Sequence, residues 1–109
     1  MATHYLLPKD GSFYKANLHC HSTFSDGTLT VEQIKEAYKS RGYSIIGYSD
    51  HNVLAPHREL EDENFLPVTA IEIDFNAVPD ERSPKGWPQV PVYHINFYSK
   101  DPDRKEFIP

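Results

Sequence analysis

The chain has 109 residues, and its composition of 39% hydrophobic and 25% charged residues is that of a globular protein with one hydrophobic core. Its formal net charge is −5 and its lysines and arginines are scattered, so an extended nucleic acid is not expected as a partner. A single cysteine, Cys20, excludes an internal disulfide and a cysteine-based zinc finger.

The first predicted elements form a strand, a helix and a second strand. Residues 14–21 have strand character, and the clearest helix follows at 30–42. Thr30 and Gln33 form a capping-box pair at its start, apolar residues recur at helical spacing, and Gly42 is placed to end it. Residues 43–49 again have strand character. A strand, helix and strand of these lengths predict a parallel βαβ unit.

Two further strands are predicted at 65–75 and 90–98, where β-branched and aromatic residues are concentrated. The remaining segments are less regular: a short helix or loop at 53–64, a proline-rich surface loop at 78–91, and a polar tail at 101–109. We expect the whole chain, 1–109, to form a single α/β domain.

Imidazole and carboxylate side chains fall near the ends of these predicted strands. His19 and His21 form an H-x-H pair, and because residues two apart on a strand share a face at roughly 6.6 Å, both rings can reach one cation. Asp26 follows in a Ser-Asp-Gly turn, and His51 follows Asp50 at the end of the second strand. The turn predicts that the Asp26 carboxylate lies at the same edge of the sheet.

The third and fourth strands each contribute one more candidate, Glu72 and His94. In parallel α/β folds active sites lie at the carboxyl edge of the sheet, so we expect these side chains to converge there. Imidazole and carboxylate ligands without thiolate suit Zn, Mn or Fe. Several such ions close together are typical of a hydrolase that acts on phosphoesters.

These residues also have ordinary structural interpretations. The H-x-H pair could simply end a strand, Asp26 could be a turn residue because Asp-Gly is common in turns, and His94 fits a core histidine equally well. A glutamate within an apolar strand is costly to bury unpaired, which favours a ligand role for Glu72.

Three other residues are interpreted as lying outside the metal ligands. Asp50 is either a turn residue or, as we prefer, a group that orients His51 without binding metal itself. His4 and His57 occur in flexible or loop-like contexts, and we expect both side chains to be solvated.

The segment NLHCHSTFSDGTLTVEQIKEAYKSRGYSIIGYSDHN closely resembles the opening of the polymerase and histidinol phosphatase (PHP) domain. The resemblance covers roughly residues 14–98. It rests on four motifs, which are His19-x-His21 followed by Ser25-Asp26-Gly27, Asp50-His51, the glutamate Glu72 in AIEI, and His94 in VYHINFYS.

The resemblance implies parallel βα units of a distorted TIM-like (β/α)7 barrel with two or three divalent metal ions at its carboxyl edge. It implies that His19, His21 and Glu72 hold one ion, that Glu72 and His94 hold a second, and that Asp26 and His51 hold a third. The implied catalytic residues are Asp26, His51 and Glu72, around a metal-activated hydroxide that attacks phosphorus. No residues for another cofactor are implied.

The family's later ligands, another histidine and a closing Asp-x-His, have no counterpart in this sequence. A complete βα barrel commonly needs on the order of 250 residues. We therefore expect the N-terminal half of such a barrel, with open sheet edges that permit self-association.

The leading functional hypothesis is a hydrolase, a phosphatase or related phosphoesterase that acts on a small phosphorylated metabolite or nucleotide. One alternative is a PHP exonuclease domain associated with a polymerase, and another is a non-catalytic metal-binding or interaction fragment. No apolar run approaches the roughly 20 residues of a membrane span, and the first residues lack a secretory pattern. We expect a cytoplasmic protein without a membrane partner.

Overall fold

A curled four-stranded sheet dominates the structure, a computed structural model that describes residues 2–76 and 92–109. The elements are β1 (Ala16–Cys20), α1 (Val31–Lys39), β2 (Ile45–Tyr48), β3 (Val53–Leu54), a 3₁₀ helix (Arg58–Leu60), β4 (Leu66–Asn76), β5 (Val92–Tyr98) and β6 (Glu106–Phe107). The strand order is β1-β2-β4-β5, and β3 pairs with β6 in a separate two-stranded sheet. No helix in the described ranges is long and apolar enough to cross a membrane.

The predicted βαβ unit is confirmed, since β1 and β2 pair in parallel and α1 connects them. Thr30 caps the helix with both capping-box hydrogen bonds: its hydroxyl accepts from the Gln33 N–H, and its own N–H donates to the Gln33 side chain. Gly42 follows with a φ of 81°, in the left-handed region that glycine adopts without strain.

The helix packs on the sheet through a small apolar core. Val31 and Ile34 of α1 are buried against Ile46 and Tyr48 of β2, and Phe65 packs on the same cluster. Tyr48 also donates its hydroxyl hydrogen to the Val31 carbonyl oxygen, 2.9 Å away, which satisfies the one polar atom of this side chain. This packing fixes β2, and with it the loop that follows β2, relative to the start of α1.

The prediction of purely parallel strands is wrong for the fourth strand, because β4 pairs in parallel with β2 but antiparallel with β5. A parallel neighbour needs a crossover, which is usually a helix. The intervening sequence contains four prolines between 78 and 91 and no amphipathic helical pattern for such a crossover. The predicted surface loop at 78–91 itself lies outside the described residues.

Two other expectations change in detail. Part of the predicted polar tail, 101–109, forms β6, which pairs with β3 over Val53 and Leu54. The segment 53–64 contains β3 and one short 3₁₀ turn where a short helix or loop was expected. The prediction of one domain over 1–109 stays a prediction.

The register between β4 and β5 separates the two faces of this part of the sheet. One face is polar and pairs Glu72 with Asn96 and Asp74 with His94. The opposite face is apolar and pairs Ile71 with Phe97, Ile73 with Ile95, and Phe75 with Tyr93. Because side chains alternate along a strand, the acidic residues of β4 all point to the same side.

Candidate metal centre

Glu72 is the central side chain of the candidate site. It lies on β4 and is 3% exposed as a whole residue. Two histidines at the end of β1 lie beside its carboxylate. The Nε2 atom of His21 lies 2.5 Å from Oε2 of Glu72, and the Nε2 atom of His19 lies 3.7 Å from the same oxygen. The H-x-H pair and Glu72 are therefore brought together, as the sequence predicted.

Asp26 and His51 lie next to His21 in this group. Oδ1 of Asp26 is 2.6 Å from Nδ1 of His21, and Oδ2 of Asp26 is 3.4 Å from Nε2 of His51. The rings of His21 and His51 meet edge to face with centroids 4.3 Å apart. Asp26 is exposed, whereas His51 is partly buried beside Glu72.

His94 reaches the site from a different direction than expected. It lies near the start of the antiparallel strand β5, and its Nδ1 is 2.8 Å from Oε1 of Glu72. The amino end of an antiparallel strand lies at the carboxyl edge of its neighbour, so the correction in strand direction leaves His94 at the same edge. The structure thus brings all six predicted metal residues together.

Asp74 is a member of this group that the sequence analysis missed. Its Oδ1 lies 2.8 Å from Nδ1 of His51 and 3.5 Å from Nε2 of His94. A signal was present in the sequence, because Glu72 and Asp74 are two residues apart on a strand and must share a face, as in the H-x-H pair.

The Asp50 carboxylate is hydrogen-bonded to the loop after β1 instead of to His51. It is 2% exposed and accepts from the N–H of Ser22 at 2.7 Å, the Ser22 hydroxyl at 2.8 Å and the Ser25 hydroxyl at 2.7 Å. Asp50 therefore ties the end of β2 to the loop that carries Asp26.

Gly27 is needed for the tight path of the same loop. Its N–H donates to the Ser22 carbonyl at 2.9 Å, and a Cβ at this position would overlap the backbone of His21 and Ser22. Any larger residue would therefore have to move the loop backbone. In the Ser-Asp-Gly motif, Asp26 is the candidate ligand, and Gly27 lets the loop backbone pass close to His21 and Ser22.

The donor atoms fit a divalent metal ion. His21 Nε2 and Glu72 Oε2 are buried and lie 2.5 Å apart, and neither makes a hydrogen bond within the described residues. Buried polar atoms without a hydrogen bond are costly unless a further group satisfies them. Within the described ranges, three overlapping sets of side chains are close enough together to hold an ion: His19, His21 and Glu72; His21, Asp26 and His51; His51, Glu72 and Asp74.

The charges around His21 favour its protonated form in the absence of metal. Burial lowers the pKa of His21, but the carboxylates of Asp26 and Glu72 beside its two ring nitrogens outweigh the effect of burial, so the pKa is raised overall. The His21 side chain correspondingly lowers the pKa of Asp26. A divalent cation would replace that proton as the positive charge between the two carboxylates.

His57, which was expected to be solvated, is buried. Its side chain is 4% exposed, and its ring packs edge to face between Phe24 and Tyr48 with centroids 5.1 and 4.9 Å away. Burial lowers its pKa, with the nearby Glu59 carboxylate acting in the opposite direction. The local sequence resembles a loop, and the aromatic neighbours that cover the ring lie outside it, Phe24 in the loop after β1 and Tyr48 at the end of β2.

Comparison with known proteins gives two partial relatives. A "5'-3' exoribonuclease" of Haemophilus influenzae is 32% identical over 66 residues, which cover 57% of this chain and 24% of the relative. A "DNA polymerase/3'-5' exonuclease PolX" of Bacillus subtilis is 40% identical over 38 residues, which cover 35% of this chain and 7% of the relative. The chain thus spans about a quarter or less of these relatives' lengths, and no solved structure matches it.

The family comparison covers nearly all of the described sheet. The family model for the PHP domain matches residues 17–104, from β1 to the segment just before β6. The matched residues include all six predicted metal residues and the loop between β1 and α1. The chain belongs to the PHP domain family.

Proposed function

We propose that this chain forms the metal-binding part of a PHP-type hydrolase that cleaves phosphoesters of a small phosphorylated metabolite or nucleotide. The observation that carries the proposal is the environment of Glu72. This buried carboxylate faces imidazole nitrogens of His21 and His94 at 2.5 and 2.8 Å, and its Oε2 makes no hydrogen bond in the part of the chain that the structure describes. Such a donor set suits two ions that share one carboxylate.

The three imidazoles at the ends of β1 and β2 share one arrangement: Nδ1 contacts a protein oxygen, and Nε2 faces a carboxylate of the cluster. Nδ1 of His19 lies 2.8 Å from the Ser49 hydroxyl, Nδ1 of His21 lies 2.6 Å from Asp26, and Nδ1 of His51 lies 2.8 Å from Asp74. Their Nε2 atoms face the carboxylates of the cluster. Engagement of one ring nitrogen by the protein fixes the direction of the other, as in many metal sites.

These residues would hold Zn, Mn or Fe, because the donors are imidazole nitrogens and carboxylate oxygens. Ions held there would supply Lewis acidity that stabilises negative charge on phosphoryl oxygens. The protein's own contribution is to hold Asp26 on the exposed side of the cluster, where a substrate can approach, with the less exposed His51 beside it. The side chain of Asp26 is 65% exposed, whereas the side chain of Glu72 is 4% exposed.

The net charge of −5 and the scattered basic residues favour a small substrate over an extended nucleic acid. The names of the two relatives support a second candidate, hydrolysis at a nucleic acid end by an exonuclease. A third candidate is metal binding without turnover, which the sequence also leaves open.

We also propose that the sheet is part of a TIM-like (β/α)7 barrel and that its open edges permit self-association.

Metal content and hydrolysis of the purified chain test the proposal. We expect bound metal by mass spectrometry, and release of phosphate from a generic phosphomonoester and a mononucleotide after addition of Mn²⁺ or Zn²⁺. A Glu72→Gln variant should lose both properties, and His4→Ala should keep both, since His4 is exposed and distant in sequence from the site.

Each outcome decides between the candidates. Metal without hydrolysis of any ester would favour the non-catalytic alternative. Hydrolysis of a short oligonucleotide but not of the mononucleotide would favour the exonuclease. A chain that binds no metal under any of these conditions would overturn the proposed site.

A further inference from the structure

We propose that Asp74 is a positioning residue that fixes the ring of His51, so that the Nε2 lone pair of His51 faces the metal cluster. The inference rests on the proposed function for the identity of that cluster. The direct observation is a hydrogen-bond distance of 2.8 Å between Asp74 Oδ1 and His51 Nδ1. The other ring nitrogen, Nε2, lies 3.4 Å from Oδ2 of Asp26.

The backbone holds both partners of this contact in place. His51 forms a parallel bridge with Glu72, and the N–H of Asn52 donates to the Glu72 carbonyl at 2.8 Å. Asn52 has a φ of 57°, a left-handed conformation that turns the chain immediately after His51. The loop after β2 is thus anchored to β4 at Glu72, and Asp74 lies on the same face, two residues further on.

The strand register places a second imidazole beside the same carboxylate. Asp74 is directly opposite His94 in the antiparallel β4–β5 pair, and its Oδ1 is 3.5 Å from Nε2 of His94. The side chain of Asp74 is 33% exposed. Asp74 therefore lies between His51 and His94, and its carboxylate contacts the rings of both candidate ligands.

The chemical consequence concerns the tautomer of His51. A neutral imidazole has one N–H donor and one lone-pair acceptor. If Nδ1 donates its hydrogen to Asp74, the lone pair resides on Nε2, which is the atom that faces Asp26. A carboxylate on the far nitrogen also raises the basicity of the ligand nitrogen, and loss of such a partner typically lowers metal affinity about 10- to 100-fold.

Nitrogen-15 NMR of the His51 ring tests the tautomer directly in metal-free protein at about pH 8.5, well above the ordinary histidine pKa. In the unsubstituted protein we expect hydrogen on Nδ1. Asp74→Ala should shift the population toward the tautomer with hydrogen on Nε2. Asp74→Asn should retain the original tautomer, because the amide oxygen can still accept the hydrogen bond.

Zinc titration by calorimetry supplies the second readout. We expect Asp74→Ala to bind Zn²⁺ about 10- to 100-fold more weakly than the unsubstituted protein, with the same number of ions at saturation. Asp74→Asn should show a smaller loss. Asp10→Asn removes the same charge from an exposed position and should leave both the affinity and the tautomer unchanged.

Several results would overturn the inference. Hydrogen on Nε2 of His51 in the unsubstituted protein would do so without any variant, and so would an unchanged tautomer in Asp74→Ala. Loss of a whole equivalent of zinc at saturation in Asp74→Ala would make Asp74 a direct ligand instead. If the unsubstituted protein binds neither Zn²⁺ nor Mn²⁺, the proposed function fails, while the tautomer still decides whether Asp74 positions His51.

Discussion

The hydroxyl of Tyr98 donates a hydrogen bond to the backbone carbonyl oxygen of Leu18, 2.8 Å away, although β5 and β1 are opposite edges of the four-stranded sheet. The sheet is therefore curled enough for its two edge strands to meet across its inner face. The same curl lets His19 of β1 and His94 of β5 both approach Glu72 of β4. The candidate metal centre therefore depends on this curvature as well as on the identity of its residues.

Removal of the Tyr98 hydroxyl should weaken the contact between the two edges. We expect Tyr98→Phe to lower the free energy of unfolding by about 0.5–1 kcal/mol, a value at the low end for a hydrogen bond because the side chain is partly exposed. Urea denaturation measures the change. Tyr5→Phe, at an exposed position, should have no effect, and an equal loss in both variants would contradict the role of the hydroxyl.

Truncation of the central ligands should remove bound metal. We expect Glu72→Ala and His21→Ala each to reduce the metal content measured by mass spectrometry, because each removes a buried ligand atom that has no hydrogen-bond partner among residues 2–76 and 92–109. Glu72→Ala should have the larger effect, since Glu72 also faces His94. His4→Ala is the matched control, and a similar loss of metal in all three variants would argue against the site.

Asp50 should stabilise the loop that carries Asp26. We expect Asp50→Ala to lower the free energy of unfolding by about 3 kcal/mol, because it removes three hydrogen bonds to a charged acceptor and leaves the buried Ser22 N–H unsatisfied. Asp50→Asn should cost less, since its amide oxygen can still accept. Thermal and urea denaturation measure both variants, with the exposed Glu63→Gln as control.

Measurement of bound metal in Asp50→Ala distinguishes the role of Asp50 from that of the metal ligands. Under conditions where Asp50→Ala remains folded, we expect weaker metal binding at Asp26 and His51, while the group of His19, His21 and Glu72 retains its ion. Loss of all metal from folded Asp50→Ala would mean that Asp50 acts on the whole cluster.

The sequence predicted the parts of the structure that depend on local signals. The capping box at Thr30, the βαβ unit and the spacing of His19 and His21 are properties of neighbouring residues, and the structure contains all three. The antiparallel direction of β5 was not predictable in this way, because it depends on the path of the chain after β4. Six ligand candidates nevertheless remained at one edge.

Two contacts were missed because they join distant segments. The hydrogen bonds of Asp50 to Ser22 and Ser25 span 28 and 25 residues, so the adjacent His51 was the more obvious partner. The burial of His57 depends on Phe24 and Tyr48, which lie on other elements. Neither relationship leaves a periodic pattern in the local sequence.

His57 should make the protein less stable in acid. Burial lowers the pKa of His57 in the folded protein below its value near 6.5 in the unfolded chain. The unfolded chain therefore binds a proton more readily, and the stabilisation contributed by neutral His57 is present above about pH 6.5 and lost as the pH falls through the folded pKa. Over that window one such proton changes the free energy of unfolding by at most about 1.4 kcal/mol per pH unit.

Replacement of His57 by an aromatic residue that does not titrate separates this effect from that of the metal ligands. We expect His57→Phe to flatten the dependence of urea unfolding on pH below about 6.5, because a phenyl ring can still pack between Phe24 and Tyr48. His21 acts in the opposite sense in metal-free protein, since its raised pKa gives stability that is lost as the pH rises. The exposed His4→Phe is the reference variant. If the dependence of urea unfolding on pH below about 6.5 is unchanged in His57→Phe, the buried imidazole is protonated as easily as a free one.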